Sequence, residues 1–556
     1  MTVLVLLSLV ALVGKHGAHG APLHGAPEAK TVRDVYALMY REQKRTGGAY
    51  LLLNSTGGIG SQGPPEGQRD ADGALIHLRH LPNASKGPTG AASLMVLVPV
   101  AESDAFLRRL LAEPALLARV AGVLIDDTEP PASYTSLPAF PGVAFAPYPA
   151  GGHAWNPVAT PDAPGSGQLR WPVPVMLLSE GMARDARERA DYNKERVVNV
   201  QGHQGRAYHA RISLPMSASG DADSASALKA ATCAPLGGFS VWAALPPIPA
   251  GANVTKSTLL VVAQGATAPL SGLVALLAAA SVLGAAPAPG LEGAAQNGAA
   301  GLAASYSRQI VFLALAGEPW GYMGSKAFLW ELQRGGVTVE GLDLALVDQV
   351  LEIGPIGQAA ITGSPATAAF YAHTQPGAAF GNAGPVVDAL QAAAGQLPEG
   401  LKASVSPASS SNPGIPPSSL MSFLRVKPQI AGVVLTEFDR AYRNPYQGSR
   451  FDKGDRVDGG AIARAAGVVA AAAHALAGGR PEDLQANATR LLELVASFSS
   501  CLIALDPGLS CAAASALMAA GYTEVDGVRS YAPKHYIGVL QARDGSRVIR
   551  GRLGSR

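Results

Sequence analysis

Runs of consecutive apolar residues recur along the first half of the chain and predict short buried strands. They fall at Ala49–Asn54, Leu75–Leu78, Leu94–Val100, Val120–Asp126 and Val173–Leu178. Apolar runs of this length, bounded by turn residues, are typical of strands buried in a core. Helical spacing predicts an amphipathic helix over 30–46 and a second helix over Glu102–Arg119, which Pro114 kinks or splits. The strand–helix–strand order indicates a small α/β lobe.

The second half repeats this alternation with longer helices. Buried strands are predicted at Leu259–Ala263, Gln309–Ala316 and Gly432–Thr436, and Ala403–Asn412 begins a further crossover. Helices are predicted at Ser271–Leu283, from Gly321–Ser325 to Leu332, and at Pro417–Leu424, Ala461–Gly478 and Asp483–Ser497. The Ala/Gly-rich segments 284–304 and 375–400 are interpreted as loops. The pattern predicts an α/β fold with a doubly wound, mostly parallel sheet.

The N-terminus predicts a secretory signal peptide. Met1–Val13 is apolar and is followed by small residues, and a run of 13 residues is too short to span a bilayer. A buried strand or an anchor is the alternative. The expected organisation is a signal peptide (1–21), a small lobe with a lid-like Pro/Gly-rich loop (30–182), an interlobe connection (183–232), a large lobe (233–540) and a polar tail (541–556).

Composition narrows the class of protein. Charged residues are 15% of the 556 residues, against about 25% in an average protein, and 43 Lys and Arg balance 41 Asp and Glu. Because no basic cluster stands out, a nucleic-acid-binding function is excluded. Three cysteines are too few for a disulfide scaffold or a Cys-rich zinc module. Four N-x-[ST] sequons support an exported, glycosylated chain: Asn54, Asn83, Asn253 and Asn487.

Glu318 is the candidate for chemistry that the pattern itself supplies. It follows the strand Gln309–Ala316 and stands beside a Gly-rich turn. Ligands of open α/β sheets bind beyond the carboxyl ends of the strands, so this carboxylate is positioned to face a cleft. A glutamate that caps the next helix, or that is simply exposed, is the alternative interpretation.

Four blocks of sequence resemble the nicastrin family, the glycosylated ectodomain subunits of the γ-secretase intramembrane protease. The blocks occur in the family's order: Cys233–Ile248, Gly265–Ala280, Arg308–Ser325 and Pro416–Asp452. Leu51–Asn54 and Trp155-Asn156-Pro157 extend the resemblance into the small lobe. Gly321 replaces the acid of the family's Asp-Tyr-Ile-Gly-Ser signature, which here is Gly-Tyr-Met-Gly-Ser.

The resemblance implies a fold similar to that of the co-catalytic zinc aminopeptidases, with the metal ligands lost. Gln264-Gly265 stands where those enzymes carry His-x-Asp, Ala268 stands at the bridging Asp, and Pro319 replaces the second Glu of a Glu-Glu pair. Tyr446–Asp452, where the last His is expected, contains no His. Because only Glu318 keeps its residue type, we expect no metal, no cofactor and no peptide hydrolysis.

The resemblance further implies a substrate-binding site, which we assign as a hypothesis to Glu318, Tyr322, Gly321, Met323, Gly324, Ser325 and Trp155. Two roles stay open at this point: Glu318 pairs with the free α-amino group of a substrate, or the large ectodomain excludes long substrates and Glu318 is structural. Trp155 is either part of a lid over the large lobe or an ordinary aromatic in a Pro-rich loop. Cys501 and Cys511 are the disulfide candidate, which leaves Cys233 unpaired.

The implied partners are a presenilin-type aspartyl protease, the other γ-secretase subunits and the N-terminal ends of type I membrane-protein substrates. The expected location is the secretory pathway, with the chain lumenal or extracellular and held at the membrane through the complex. The family's C-terminal transmembrane helix is not seen, since Ser546–Arg556 is polar and basic. A secreted co-catalytic zinc aminopeptidase and a generic lumenal binding glycoprotein are the competing hypotheses.

Overall fold

A computed structural model gives the fold, which is α/β with two lobes. It describes residues 48–49, 51–53, 59–61, 70–81, 93–126, 128–129, 153–157, 173, 175–178, 180–198, 208–213, 233–234, 240–249, 251–264, 270–285, 306–318, 322–336, 339–358, 369–376, 380–412, 414–447, 452, 457–484, 488–503, 540–543 and 547–549. The predicted signal peptide and the helix predicted over 30–46 lie outside these residues.

The small lobe is built on a six-stranded sheet. Its strands, in chain order, are β1 (Gly48–Ala49), β4 (Asp70–His77), β5 (Leu94–Pro99), β6 (Val120–Asp126), β7 (Val175–Leu177) and β8 (His209–Ser213), while β2 (Leu51–Leu53) and β3 (Ile59–Ser61) form a separate pair. The sheet order is β1-β7-β6-β5-β4-β8, with a parallel core from β7 to β4 and antiparallel edges. Both faces of the parallel core are covered, which explains why its strands are continuous apolar runs.

Helices cover the two faces of this sheet. They are α1 (Ser103–Ala112), α2 (Pro114–Leu117) and α3 (Glu180–Val198). Pro114 begins α2, so the helix predicted over Glu102–Arg119 is split at that proline. The segment 183–232, predicted as an interlobe connection, differs from the prediction: α3 packs on the small-lobe sheet and β8 pairs with β4. Most residues of α3 are polar, so the sequence did not predict a packed helix. Three alanines pack it against the sheet: Ala183, Ala186 and Ala190.

The large lobe is built on a seven-stranded sheet. Its strands are β10 (Val241–Leu245), β11 (Thr258–Gln264), β12 (Gln309–Leu315), β13 (Val347–Ile353), β14 (Ala369–His373), β15 (Ser404–Pro407) and β16 (Ala431–Thr436). Its helices are α4 (Ser271–Ala285), α5 (Met323–Arg334), α6 (Phe380–Gln396), α7 (Leu420–Val426), α8 (Gly459–Leu476) and α9 (Ala488–Leu502). The short strands β9 (Cys233–Ala234), β17 (Leu540–Arg543) and β18 (Arg547–Ile549) form a third sheet, so part of the predicted polar tail is paired with β9.

The order of the large sheet is β10-β12-β11-β13-β16-β14-β15, and its four central strands, β12, β11, β13 and β16, are parallel. Chain order reverses direction between β11 and β13. At such a switch point the connecting helices leave on opposite faces, and a crevice opens at the carboxyl ends of the strands. The fold therefore places its natural ligand position next to Gln264 and Ile353, where β11 and β13 end.

Alternate side chains of the central strands pack into two layers. Leu259, Val261 and Ala263 of β11 belong to the core under α4, α6, α8 and α9, and Leu260 and Val262 belong to the core under α5 and α7. The doubly wound, mostly parallel sheet predicted from the sequence is confirmed. The loop predicted over 375–400 is wrong, because α6 occupies Phe380–Gln396 and buries Val386, Val387 and Leu390.

The Ala-rich helix α8 is, of the described helices, the one long and apolar enough to cross a membrane by length and composition. Two thirds of it, 67%, is buried inside the protein, between α4, α6 and α9. This burial agrees with its prediction as a packed helix.

Candidate functional site

Three glutamates stand at the carboxyl edge of the large sheet. Glu318 follows β12, Glu352 is the penultimate residue of β13, and Glu437 follows β16 directly. Their exposed fractions are 2%, 1% and 2%. Buried carboxylates need hydrogen-bond donors or cations, so the partners of each one show what it does.

Glu318 is held by the first turn of α5. Its Oε1 accepts the backbone N–H of Ser325 at 2.6 Å, and its Oε2 accepts the Ser325 hydroxyl at 3.0 Å. The turn between them requires left-handed backbone at Tyr322, with φ 60°. Because the first N–H groups of a helix have no partner within the helix, a carboxylate there satisfies and stabilises the helix start.

Gly324 allows this turn to close. A Cβ at this position would lie 2.0 Å from the carbonyl oxygen of Ala316 and 2.8 Å from Oε1 of Glu318. Any side chain would displace the end of β12 or the carboxylate. The glycine is therefore a requirement of the close approach between α5 and the strand.

Ser325 connects this turn to the neighbouring helix. Its hydroxyl lies 2.9 Å from the hydroxyl of Ser422 on α7 and 3.2 Å from the carbonyl oxygen of Tyr322. Phe328 and Phe423 pack beside the serines, with ring centroids 6.4 Å apart. The signature segment and α7 thus form one hydrogen-bonded unit.

Glu352 lies at the switch point itself. It accepts the backbone N–H of Leu420 at 2.7 Å, the N–H of Ser419 at 3.1 Å and the side-chain amide of Gln264 at 3.3 Å. Burial raises its pKa to about 7, and the nearby Glu318 adds to the rise. The crevice that the topology creates is therefore filled by a carboxylate that fastens the start of α7.

Glu437 repeats the arrangement one strand further. It accepts the N–H of Gly357 at 2.7 Å and the N–H of Gln358, both in the loop after β13. Burial raises its pKa to about 7. Burial likewise raises the pKa of Glu318, although the hydrogen bonds from Ser325 oppose the rise.

The predicted site residues are partly brought together. Glu318, Tyr322, Gly324 and Ser325 form one buried turn, whereas the side chain of Met323 points outward and is 47% exposed. Gly321 lies outside the described residues. Burial holds the pKa of Tyr322 well above its usual value, with smaller contributions from Tyr442, Glu352 and Glu318, which places these groups near one another.

Trp155 is buried in an aromatic cluster of the two lobes, with 3% exposure. Its ring makes edge contacts with His153 at 4.6 Å, His373 at 5.6 Å and Phe438 at 6.3 Å between centroids. Phe438 contacts Tyr442 in the same way at 5.2 Å. This cluster therefore extends from the Pro-rich loop to the tyrosine beside the carboxylates.

Backbone contacts fix the same loop on the large lobe. Tyr442 donates its N–H to the carbonyl oxygen of Trp155 at 2.8 Å, and His153 Nε2 lies 2.7 Å from the carbonyl oxygen of Arg440. Tyr446, from the large lobe, packs into the core of the small lobe. Trp155 is therefore buried against residues of the large lobe, and its assignment to a lid stays a prediction.

Gln264 is the one of three positions compared with metal ligands that lies within the described residues. Gln264 donates to Glu352, while Ala268 and Pro319 lie outside the described residues. Among the described residues no group of three or more His, Cys, Asp or Glu side chains could hold a metal ion.

Most of the predicted modification sites lie outside the described residues. Asn253 is exposed, which fits glycosylation. Asn54, Asn83, Asn487 and Cys511 lie outside the described residues, so these sites and the Cys501–Cys511 pairing stay predictions.

Sequence reasoning missed two of the three carboxylates. Glu437 stands directly after a predicted strand, as Glu318 does, and that position was the available signal. Glu352 was hidden because β13, VDQVLEI, mixes polar and apolar residues and was not predicted as a strand. Ser419 and Ser422, at the start of α7, were missed for a different reason: their role depends on contacts across the fold.

Fold and site together define a two-lobed α/β protein with an open, mostly parallel large sheet, whose edge carboxylates are bound within the protein. Comparison with known proteins agrees with this class. The family model of the nicastrin large lobe matches residues 252–499, and that of the nicastrin small lobe matches residues 49–218. A nicastrin from Arabidopsis thaliana is 30% identical over 527 residues, covering 90% of this chain and 71% of the relative. The chain belongs to the nicastrin family.

One solved structure shows the same fold. The crystal structure of nicastrin, described as a γ-secretase component, aligns with a TM-score of 0.59 at 18% identity, covering 84% of this chain and 80% of that one. A zinc aminopeptidase from Bacillus subtilis aligns over 79% of this chain and 84% of its own with a TM-score of 0.37, which supports no further conclusion.

Proposed function

We propose that this chain is the non-catalytic ectodomain subunit of a γ-secretase intramembrane protease, where it screens substrates and serves as an assembly scaffold. Membership of the nicastrin family supports the proposal, as does the description of the solved nicastrin as a γ-secretase component. In this proposal the partners are a presenilin-type aspartyl protease and the other subunits, and the substrates are type I membrane proteins presented by their N-terminal ends.

The choice between the two roles depends on one observation: Glu318 is buried and its two oxygens already accept hydrogen bonds within the protein. A carboxylate that recruits a free α-amino group must reach solvent and keep acceptor positions for the ammonium. Glu318 is 2% exposed, and both of its oxygens accept hydrogen bonds from Ser325. Recruitment would require this turn to open and the start of α5 to lose its cap, so we favour screening by steric exclusion, with Glu318 as the residue that holds the turn.

In this proposal, Trp155 holds the two lobes together, so that the ectodomain excludes long substrates as one rigid body. Its ring is enclosed by His153, His373 and Phe438, and its carbonyl oxygen is bound by the Tyr442 N–H. Removal of a buried Trp side chain costs about 3–5 kcal/mol, so a Trp155→Ala variant loosens this contact first.

The test is a length series of substrates with a reconstituted complex. Substrates that share one transmembrane segment and differ in ectodomain length are cleaved by complexes that contain the wild-type chain, Trp155→Ala or Trp155→Phe. We expect Trp155→Ala to raise the cleavage of long substrates relative to short ones and Trp155→Phe to do so much less. Equal length dependence in all three, at equal amounts of assembled complex, contradicts the screening role.

The remaining proposals concern the location of the chain, its glycosylation and its disulfide bond. We propose a secreted or lumenal chain with 1–21 removed, glycans on Asn54, Asn83, Asn253 and Asn487, and a Cys501–Cys511 disulfide. Exposure of Asn253 supports one of them. Mass spectrometry of the protein from its own cells, before and after glycosidase and reducing agent, tests each separately.

A further inference from the structure

The outward face of α5 is apolar and basic. Met323 and Trp330, one heptad apart, are 47% and 53% exposed, and Lys326 and Arg334 lie on the same side. The opposite side of the helix, with Phe328, Leu329 and Leu332, is buried in the large-lobe core. Residues three, four and seven apart share one helical face, so the exposed residues form a continuous stripe about 16 Å long.

The neighbouring helix extends this stripe. Val426, at the end of α7, is 40% exposed, and Arg425 precedes it. α7 packs against α5 through Ser422 and Phe423. Burial lowers the pKa of Lys326, and the positive charge of Arg425 lowers it further. We call these residues the α5 stripe: Met323, Lys326, Trp330, Arg334, Arg425 and Val426.

Charge on the α5 stripe has one sign. Glu331 is the acid of α5, and it lies to the side, against Gly336, where a Cβ would meet its carboxylate at 1.7 Å. The guanidinium of Arg334 lies over the ring of Trp330, 4.5 Å from its centroid. This stacking orders both side chains before any partner binds, which reduces the entropy lost on association.

The residue composition of the α5 stripe favours a polypeptide as the molecule that binds there. Trp, Met and Arg are the residues enriched at the cores of protein–protein interfaces, and Trp and Arg dominate binding hot spots. Cations around an apolar centre complement an apolar side chain that is flanked by carboxylates. We propose that the α5 stripe is a docking surface for a partner polypeptide that presents an apolar side chain between acidic residues; this inference does not rest on the proposed function.

The test uses the purified full chain and two synthetic helical peptides. Both carry Leu along one face; one has Glu beside the leucines, and the other has Lys at the same positions. Fluorescence anisotropy of the labelled peptides measures binding. We expect the Glu peptide to bind at least about tenfold more tightly than the Lys peptide, with the difference reduced by added salt.

Matched variants locate the binding. We expect Trp330→Ala to weaken the Glu peptide about tenfold or more, and Arg334→Glu to abolish its advantage over the Lys peptide. Leu492→Ala, on α9, is the control, because Leu492 is also exposed, at 44%, and lies away from the α5 stripe. Thermal unfolding of all variants checks that each folds.

Several results overturn the proposal. Equal binding of both peptides, or an unchanged affinity in Trp330→Ala, excludes an acidic polypeptide at this surface. Trp330-dependent sedimentation with phosphatidylserine vesicles, without peptide binding, assigns the surface to a membrane instead. Trp330-dependent self-association without peptide binding assigns it to a second copy of the chain.

Discussion

Two acids of the small-lobe sheet and the three buried glutamates of the large lobe differ in what neutralises them. In the small lobe, Asp126 ends β6 and pairs with Arg187 at 2.9 Å, and the exposed Asp72 pairs with His209 at 2.8 Å and Arg211 at 3.1 Å. In the large lobe, Glu318, Glu352 and Glu437 accept hydrogen bonds from backbone N–H groups, with serine and glutamine side chains as further donors. Carboxylates of the two sheets are thus bound by side-chain cations in one lobe and mainly by backbone N–H groups in the other.

The difference separates two functions of a carboxylate. An exposed acid with a cation beside it has a lowered pKa, as the hydrogen bond from His209 produces for Asp72, and contributes little to stability. A buried acid held by backbone N–H groups has a raised pKa and fixes the path of the chain around it. The large-lobe acids therefore hold the turns and helix starts at the carboxyl edge of the sheet.

The largest expected effect comes from breaking the turn around Glu318. Gly324→Ala places a methyl group against the Ala316 carbonyl oxygen, and we expect a loss of about 3 kcal/mol or more in the free energy of unfolding. Chemical denaturation followed by circular dichroism measures it.

The control for this substitution is Gly395→Ala in α6, where a new Cβ meets nothing within 4 Å. Because alanine has the higher helix propensity, this variant should gain about 0.5–1 kcal/mol. A Gly324→Ala protein as stable as Gly395→Ala would show that the close contact between α5 and β12 is not maintained.

The next effect is a dependence of stability on pH. The folded pKa values of Glu352 and Glu437 are about 7, against 4.5 ordinarily, so the folded state binds more protons than the unfolded state between these values. Stability from these two acids is full below pH 4.5 and is lost as pH rises through 7. His373 acts oppositely below pH 6.5, since burial lowers its pKa to about 4.

The measurable window is therefore above about pH 6.5, where Glu352 and Glu437 lose their protons in the folded state. His373 is half protonated in the unfolded state at pH 6.5, so it opposes the fall in stability by a smaller amount. Between about pH 6.5 and pH 8 we expect the free energy of unfolding to fall by about 1–2 kcal/mol. Glu352→Gln should reduce this slope, because its amide does not titrate. A stability that rises across this window would mean that the large-lobe acids are ionised and paired.

The smallest effect belongs to the small lobe. Asp126→Asn removes the ion pair with Arg187 and keeps the shape, and we expect a loss of about 1 kcal/mol that added salt reduces. Arg187→Ala should give a similar loss, and the double variant should lose less than the sum of the two. A loss as large as that of Gly324→Ala would remove the contrast between the lobes.

Sequence patterns predicted the parts of the fold whose signals are local. The apolar runs at β11, β12 and β16 identify buried strands, and Pro114 marks the split between α1 and α2. The composition of α6 misled, because alanine and glycine with Pro385 look like a loop until packing against β16 is known. The polar residues of β13 concealed both the strand and Glu352.

The sequence predicted where the site lies, but it did not predict how Glu318 is bound. Glu318 after a buried strand located the carboxyl edge, and the resemblance to the family located the turn. That both oxygens of Glu318 are bound by Ser325 depends on the left-handed conformation of Tyr322 and on the absence of a Cβ at Gly324. Such contacts arise from the close approach of elements, which no residue pattern records.

The most direct measurement compares two short substrates that differ only in whether the α-amino group is free or acetylated. Reconstituted complexes with the wild-type chain or with Glu318→Gln cleave each substrate, at equal amounts of assembled complex. We predict that acetylation changes the cleavage rate in neither complex. A loss of cleavage on acetylation with the wild-type chain, absent with Glu318→Gln, would contradict a Glu318 that is bound within the protein.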